Sequence, residues 1–160
     1  MDIKIVDNFI KSYDLDEINF QLSQANWKLH SSLPGDSDSF LMWDVSHIKY
    51  FNKTLYNKIQ REVGVDTELE RIYFNGQHSG REGELHIDGC DITALIYISE
   101  YHPNWGGFTQ IIHSIEEQFI VPPVQSRLLL FDGNMYHKGY SYSYQKCPMR
   151  ISLAYKLKVK

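Results

Sequence analysis

Cysteine is scarce in this chain: Cys90 and Cys147 are the only two in 160 residues. One pair is too sparse for a disulfide-stapled scaffold, so both are read as free thiols of a reducing compartment. Long apolar runs are missing as well. The longest, Ala94 to Ile98 and Leu128 to Phe131, fall far short of the roughly 20 residues that a membrane-spanning helix needs. Met1 to Ile10 alternates Asp and Lys with apolar side chains. It lacks the basic start and apolar centre of a secretory leader, which makes the cytoplasm the expected location. There is no surplus of positive charge either: 16 Lys and Arg against 20 Asp and Glu leave a formal net charge of −4. A binder of nucleic acid or anionic membrane needs a basic face, so neither is an expected partner. No internal repeat or low-complexity segment interrupts the chain.

What remains describes one globular domain, residues 1–160. A chain of this mass buries roughly 70% of its unfolded surface. With 42% hydrophobic residues and 22 aromatic side chains, it has the material for a real core. Residues 1–65 read as helical support. Ser12 stands where a cap is wanted, ahead of Leu15, Ile18, Leu22 and Ala25 on one helical face. Ser46 precedes a second stripe, Ile48, Phe51, Leu55 and Ile59, which Gly64 ends. A polar loop, Ser31 to Ser39, lies between them. From residue 66 onward, short runs of Ile, Val, Tyr and Phe alternate with turn residues. Strands are expected near 69–75, 84–88, 92–99, 107–113, 118–121, 126–131, 135–137 and 149–158. No helical pattern separates them. This favours a mainly β jelly roll, with about two helices on one sheet, over a parallel α/β sheet.

The chemistry concentrates around His86-Ile87-Asp88. On an extended chain, residues two apart project from one face, so one imidazole and one carboxylate can reach one metal ion. Seven His and 11 Asp in 160 residues produce roughly 0.5 such triplets by chance, so the motif needs context. His137 follows 51 residues after His86, and Arg150-Ile151-Ser152 begins 13 residues later. Two His and one carboxylate on one face, with the other positions open, are the ligand set of non-haem Fe(II) oxygenases. On an alternating strand Arg150, Ser152 and Ala154 share a face. A guanidinium inside a small barrel needs an anion, and its planar fork matches a carboxylate.

These residues stand within a longer resemblance, covering roughly residues 69–157, to the Fe(II)/2-oxoglutarate-dependent dioxygenases and their prolyl 4-hydroxylase-like branch. Tyr73-Phe74-Asn75-Gly76-Gln77 resembles that family's Tyr-x-x-Gly-Gln segment. His86-Ile87-Asp88, Thr93 to Ser99, Gly106-Gly107-Phe108-Thr109, Leu130-Phe131-Asp132 with His137, and Arg150-x-Ser152 follow in the family's order. The resemblance implies a double-stranded β-helix, with iron on His86, Asp88 and His137. It implies that Arg150 meets the distal carboxylate of 2-oxoglutarate, with Ser152, Tyr73 and Tyr97 as further cosubstrate contacts. The implied cofactors are Fe(II), 2-oxoglutarate and O2, with ascorbate an admissible reductant. The implied reaction is hydroxylation of a C–H bond, releasing succinate and CO2. The carboxylate at position 88 favours hydroxylation over halogenation. Two intervals, Gln77 to His86 and His137 to Arg150, are long for the family, and many prolyl 4-hydroxylases carry Lys where Arg150 stands.

The expected substrate is peptidyl, prolyl or amino-acid-like, recognised by loops 31–40, 78–83, 100–106 and 139–147. Trp105 is a candidate for its mouth. The remaining histidines (His30, His47, His78, His102 and His113) are read as ordinary, and Cys90 as no ligand. Two other classes stay open at this level: a cupin-type metalloprotein that does not use 2-oxoglutarate, and a non-enzymatic jelly-roll binding module.

Overall fold

The computed structural model describes residues 2–30, 40–144 and 146–160. Among the described residues, ten strands and two main helices follow in the order β1 (Lys4–Val6), α1 (Ser12–Leu22), β2 (Lys28–His30), β3 (Phe40–Asp44), α2 (Tyr56–Val63), β4 (Thr67–Gln77), β5 (Ile92–Tyr97), β6 (Thr109–Ile112), β7 (Gln118–Val121), β8 (Leu128–Asp132), β9 (Tyr136–Gly139) and β10 (Arg150–Val159). A wider π-helical turn, Tyr50–Leu55, leads into α2. A short 3-10 turn spans Pro103–Trp105. Seven strands form one antiparallel sheet in the order β1-β8-β5-β10-β4-β3-β2, and three form a second in the order β7-β6-β9. This is the jelly roll that the strand pattern predicts, in the double-stranded β-helix form that the resemblance implies.

Two cores hold the layers. The helices cover the outer face of the large sheet: Ile18, Phe51, Leu55 and Ile59 pack on Ile72, Phe74, Ala94, Ile96, Leu128, Leu153 and Tyr155. Between the two sheets lie Leu95, Tyr97, Ile111, Val121, Leu129, Phe131 and Ala154. Strands β5 and β8 therefore have a core on each side, which is why they read as unbroken apolar runs rather than as alternation. Each fully buried aliphatic or aromatic side chain among them contributes about 1.5–3 kcal/mol.

The N-terminal third departs from the helical expectation. Besides its helices it supplies β1, β2 and β3 to the large sheet. Strand β3 pairs with β4, and β2 extends it by three residues. Such short strands hold too few residues for a period of two to stand out. The cap assignments also shift. Lys11, not Ser12, is the N-cap of α1, and its N–H donates to the Asp14 carboxylate at 3.3 Å. Ser46 does not cap a helix. Its hydroxyl accepts from the Ile72 N–H at 2.9 Å and donates to the Ile72 carbonyl, pinning the approach to α2 against β4. Gly64 ends α2 as expected, with φ of +77°, a left-handed conformation that favours glycine. The expected strand at 84–88 is no regular strand. It touches β9 through one isolated bridge, His86 to His137. Leu85 and Ile87 are exposed, so nothing on their side holds a ladder. The polar loop at 31–39 lies outside the described residues.

No helix among the described residues is long and apolar enough to cross a membrane. Both cysteines are free thiols, Cys90 buried and Cys147 partly so.

Candidate metal centre and its cavity

His86, Asp88 and His137 converge. One ligand atom from each lies within 4.8 Å of the others. The backbone builds this cluster from two segments. His86 and His137 exchange backbone hydrogen bonds of 3.1 and 2.8 Å, and the Asp88 N–H donates to the Gly133 carbonyl at 2.8 Å. The His-x-Asp pair thus keeps the same-face geometry of extended chain without a full ladder. Each imidazole is also aimed. Nδ1 of His86 lies 2.8 Å from the Glu84 carbonyl, and Nδ1 of His137 lies 2.9 Å from that of Met135. A carbonyl only accepts, so each Nδ1 carries the proton and each Nε2 presents a lone pair. Those Nε2 atoms stand 3.6 and 3.3 Å from the Asp88 oxygens. Two imidazoles and one carboxylate around one point, with no thiolate and no fourth protein ligand among the described residues, form a donor set that fits Fe(II) with positions left open.

Asp88 is more heavily held than the motif suggests. Thr93 donates to its Oδ2 at 2.5 Å, and the Lys156 ammonium also contacts that oxygen. Burial works to raise the Asp88 pKa. The two imidazoles beside it, His137 and His86, and the charge of Lys156 outweigh it, and the carboxyl is held far below its ordinary range. Asp88 therefore stands as a carboxylate. Lys156 is buried too. Desolvation pulls its pKa down, but Tyr73 and Asp88 prevail and leave it raised.

The triad opens into a cavity of about 310 Å³. Arg150 lies in its wall, 2% exposed. Its Nε donates to the Gly107 carbonyl at 2.7 Å, and its two terminal nitrogens donate to Gln77 Oε1 at 2.6 Å and Thr109 Oγ1 at 3.1 Å. All three acceptors are neutral, and among the described residues no carboxylate pairs with it. A buried guanidinium without an anion is costly, and from this wall the fork could receive an anion entering the cavity. Ser152 and Tyr73 also line it. Tyr97 does not. It is 1% exposed, its hydroxyl donates to Thr109 at 2.8 Å, and its ring centre lies 5.5 Å from the Arg150 guanidinium carbon. It packs behind the Arg150 guanidinium. Asn75, on the cavity wall between Tyr73 and Gln77, has a buried side-chain oxygen with no hydrogen-bond partner, which a bound donor or water would satisfy.

Several wall residues escaped the sequence reading. Gln77 and Thr109 stood within quoted motifs but without roles. Lys156 continues the alternation Arg150, Ser152, Ala154, and extending that period by one step would have found it. His30, read as ordinary, and Phe40, at the end of the loop 31–40 expected to recognise substrate, reach the cavity lining. Trp105 does not line it. The turn through Gly106 and Gly107, both at positive φ, lays the indole edge-on against Tyr142 at 5.4 Å. His47, His78, His102 and His113 are absent from the lining.

Fold and site together define a class: a double-stranded β-helix carrying a two-histidine, one-carboxylate centre beside a buried arginine. No protein-family model matches the sequence, and no curated protein matches it. Solved structures do match the fold. A 2OG-Fe(II) oxygenase family oxidoreductase from Burkholderia pseudomallei superposes with a TM-score of 0.81 at 11% identity, covering 98% of this chain and 84% of that one. A prolyl hydroxylase from Trichoplax adhaerens, in complex with a hypoxia inducible factor peptide fragment, gives 0.76 at 16% identity, covering 98% and 83%. A prolyl-4-hydroxylase from Pseudomonas putida gives 0.70 at 15% identity, covering 98% and 92%. The chain thus has the fold of the 2OG-Fe(II) oxygenases, with its own triad at the cavity.

Proposed function

We propose that this protein is an Fe(II)- and 2-oxoglutarate-dependent dioxygenase that hydroxylates a C–H bond of a peptidyl or amino-acid-like substrate. The observation that carries the reading is Arg150: a fully buried cation, forked toward neutral acceptors, in the wall of a cavity that also holds a three-ligand metal site. A cupin-type metal centre explains the triad but not the arginine. A binding module explains neither the aimed imidazoles nor the depressed Asp88.

In this reading His86, Asp88 and His137 hold the iron. Bound Fe(II) with 2-oxoglutarate supplies the activation of O2 that C–H hydroxylation requires, at the expense of decarboxylating the 2-oxoacid to succinate and CO2. The chain's own residues do the rest. Arg150 receives the distal carboxylate of 2-oxoglutarate with two parallel hydrogen bonds. Ser152, two residues on, donates to the same end. Tyr73 lines the path between that end and the metal. Thr109, Gln77 and Tyr97 keep the guanidinium oriented before the cosubstrate arrives. Thr93 and Lys156 fix the orientation of Asp88. Leu95, Phe131 and Ala154 make the floor apolar, which excludes water from the oxidation.

The test is iron-dependent release of succinate from 2-oxoglutarate by purified protein, followed by a mass-spectrometric search for a +16 Da product over peptide and amino-acid panels, proline-rich peptides first. Protein that takes up iron yet neither binds nor decarboxylates 2-oxoglutarate refutes the proposal.

A further inference from the structure

Two cations face the same side of the cavity, away from Arg150. Arg71 on β4 and Lys156 on β10 are direct register partners in the antiparallel ladder, and both line the cavity. Like charges opposite each other across a ladder destabilise it. Here they flank one aromatic ring: the Arg71 guanidinium lies 4.8 Å from the centre of Tyr73, and the Lys156 ammonium lies 5.5 Å from it.

The anions nearby do not fully answer them. Arg71 meets Asp44 at 3.6 Å, with both side chains more than 40% exposed, an arrangement that water screens strongly. Among the described residues Lys156 pairs with one carboxylate, Asp88, which also faces both imidazoles of the metal site. Glu84, the remaining acid on the lining, is exposed at the rim and acts on Lys138. A divalent ion on the triad claims the charge of Asp88. In the function proposed above, the two carboxylates of 2-oxoglutarate go to that ion and to Arg150. Lys156 then shares its one carboxylate with the metal, so its charge is only partly met, with Arg71 opposite.

We infer that Arg71 and Lys156 form a second carboxylate site, which binds the substrate. The substrate class is thereby narrowed to molecules that carry a carboxylate close to the oxidised C–H bond: a free amino acid, or a peptide that presents its C-terminus or an acidic side chain. The Tyr73 ring between the two cations supplies a flat apolar surface for the carbon chain next to that carboxylate. This inference rests on the reading of the cavity as a 2-oxoglutarate site.

The experiment uses protein loaded with Zn(II), which cannot turn over, and saturated with 2-oxoglutarate. Small probes are titrated by ligand-observed NMR: N-acetylated amino acids, the same compounds as C-terminal amides, and amidated N-acetyl-glutamate. The acids are expected to bind at least tenfold more tightly than the amides. Amidated N-acetyl-glutamate separates a side-chain carboxylate from a terminal one. Arg71→Gln and Lys156→Met are each expected to abolish the preference for acids. Arg71→Gln, at a half-exposed position, keeps the test valid if Lys156→Met fails to fold. Equal binding of acids and amides, or a preference that survives Arg71→Gln, overturns the inference. Wild-type protein that fails to bind 2-oxoglutarate overturns the proposed function instead, so the two failures are distinguishable.

Discussion

Replacement of Arg150 by Met separates the role of this side chain in stability from its role in binding. In the ligand-free protein Arg150 is 2% exposed and donates to Gly107, Gln77 and Thr109. Removing it leaves those acceptors unpaired, a loss of about 1–3 kcal/mol. It also relieves a buried charge that has no anionic partner, which offsets much of that loss. The free variant is therefore expected to unfold only about 1–2 kcal/mol more easily, a fall of roughly 2–8 °C in Tm for a chain of this size. Binding behaves differently. Truncating one member of a buried, hydrogen-bonded charge pair costs about 2–5 kcal/mol, so affinity for 2-oxoglutarate is expected to fall by about 30- to 4,000-fold. The two effects can be read together by thermal unfolding of Zn(II)-loaded protein with and without 2-oxoglutarate. At a hundred times its own Kd the ligand stabilises wild type by about 2.7 kcal/mol. The same concentration should stabilise the variant by less than about 0.9 kcal/mol. Arg150→Lys keeps the charge but loses the fork, and should fall between the two. If Arg150→Met keeps the full wild-type shift, Arg150 does not bind the cosubstrate.

Three further outcomes are expected. His137→Ala removes one of the three ligands and should weaken Co(II) binding at least about 100-fold, read from the cobalt absorption bands, because changes even in the groups behind a ligand cost about 10–100-fold. Gly107→Ala should lower both Tm and 2-oxoglutarate affinity. Its φ is +76°, and an added Cβ would sit 2.4 Å from the Tyr142 ring and 3.4 Å from Arg150. Strain of this kind costs about 1–3 kcal/mol. Asp14→Asn should cost about 2 kcal/mol at neutral pH, since buried Asp14 accepts from Lys58 at 2.6 and 2.7 Å and from the Tyr50 hydroxyl at 2.7 Å, joining α1 to the segment around α2. Burial pushes the Asp14 pKa up, but those hydrogen bonds win and the net direction is down. A lowered carboxylate pKa means that its stabilisation is complete above the unfolded value near 3.9 and lost as pH falls toward the folded one. The Tm gap between wild type and Asp14→Asn should therefore be full at pH 7 and close below about pH 4.

Legibility in the sequence follows how local each signal is. The period of two through Arg150, Ser152 and Ala154 needed only neighbouring residues, and the structure places all three on the inner face of β10. The order and spacing of His86, Asp88 and His137 needed only the chain. What escaped depended on partners far along it. Strands β2 and β3 exist because the edge of β4 is available to them, and neither contains an alternation long enough to announce itself. Ser46 looks like a helix cap in isolation, yet it is held by Ile72, which stands 26 residues away. Trp105 looked like a mouth residue because a large apolar group on a loop suggests exposure. Its partner Tyr142 comes 37 residues later, and nothing between them signals the contact.

Strand β10 shows why one local signal reached so far. Its outer residues, Leu153, Tyr155 and Leu157, belong to the core beneath the helices. Its inner residues supply the guanidinium of Arg150, a flat floor at Ala154 and a second cation at Lys156. Its neighbours on either side, β4 and β5, obey the same alternation through fixed register: Ser152 opposes both Asn75 and Tyr97, and Ala154 opposes both Tyr73 and Leu95. A slip of one residue would drive two buried cations into the apolar core and turn Leu153 and Tyr155 toward the candidate metal centre. Register is therefore specified by burial on the outer face, while function is written on the inner one. The irregularity in the ladder falls just beyond Lys156, so the alternation remains intact across every position that faces the cavity.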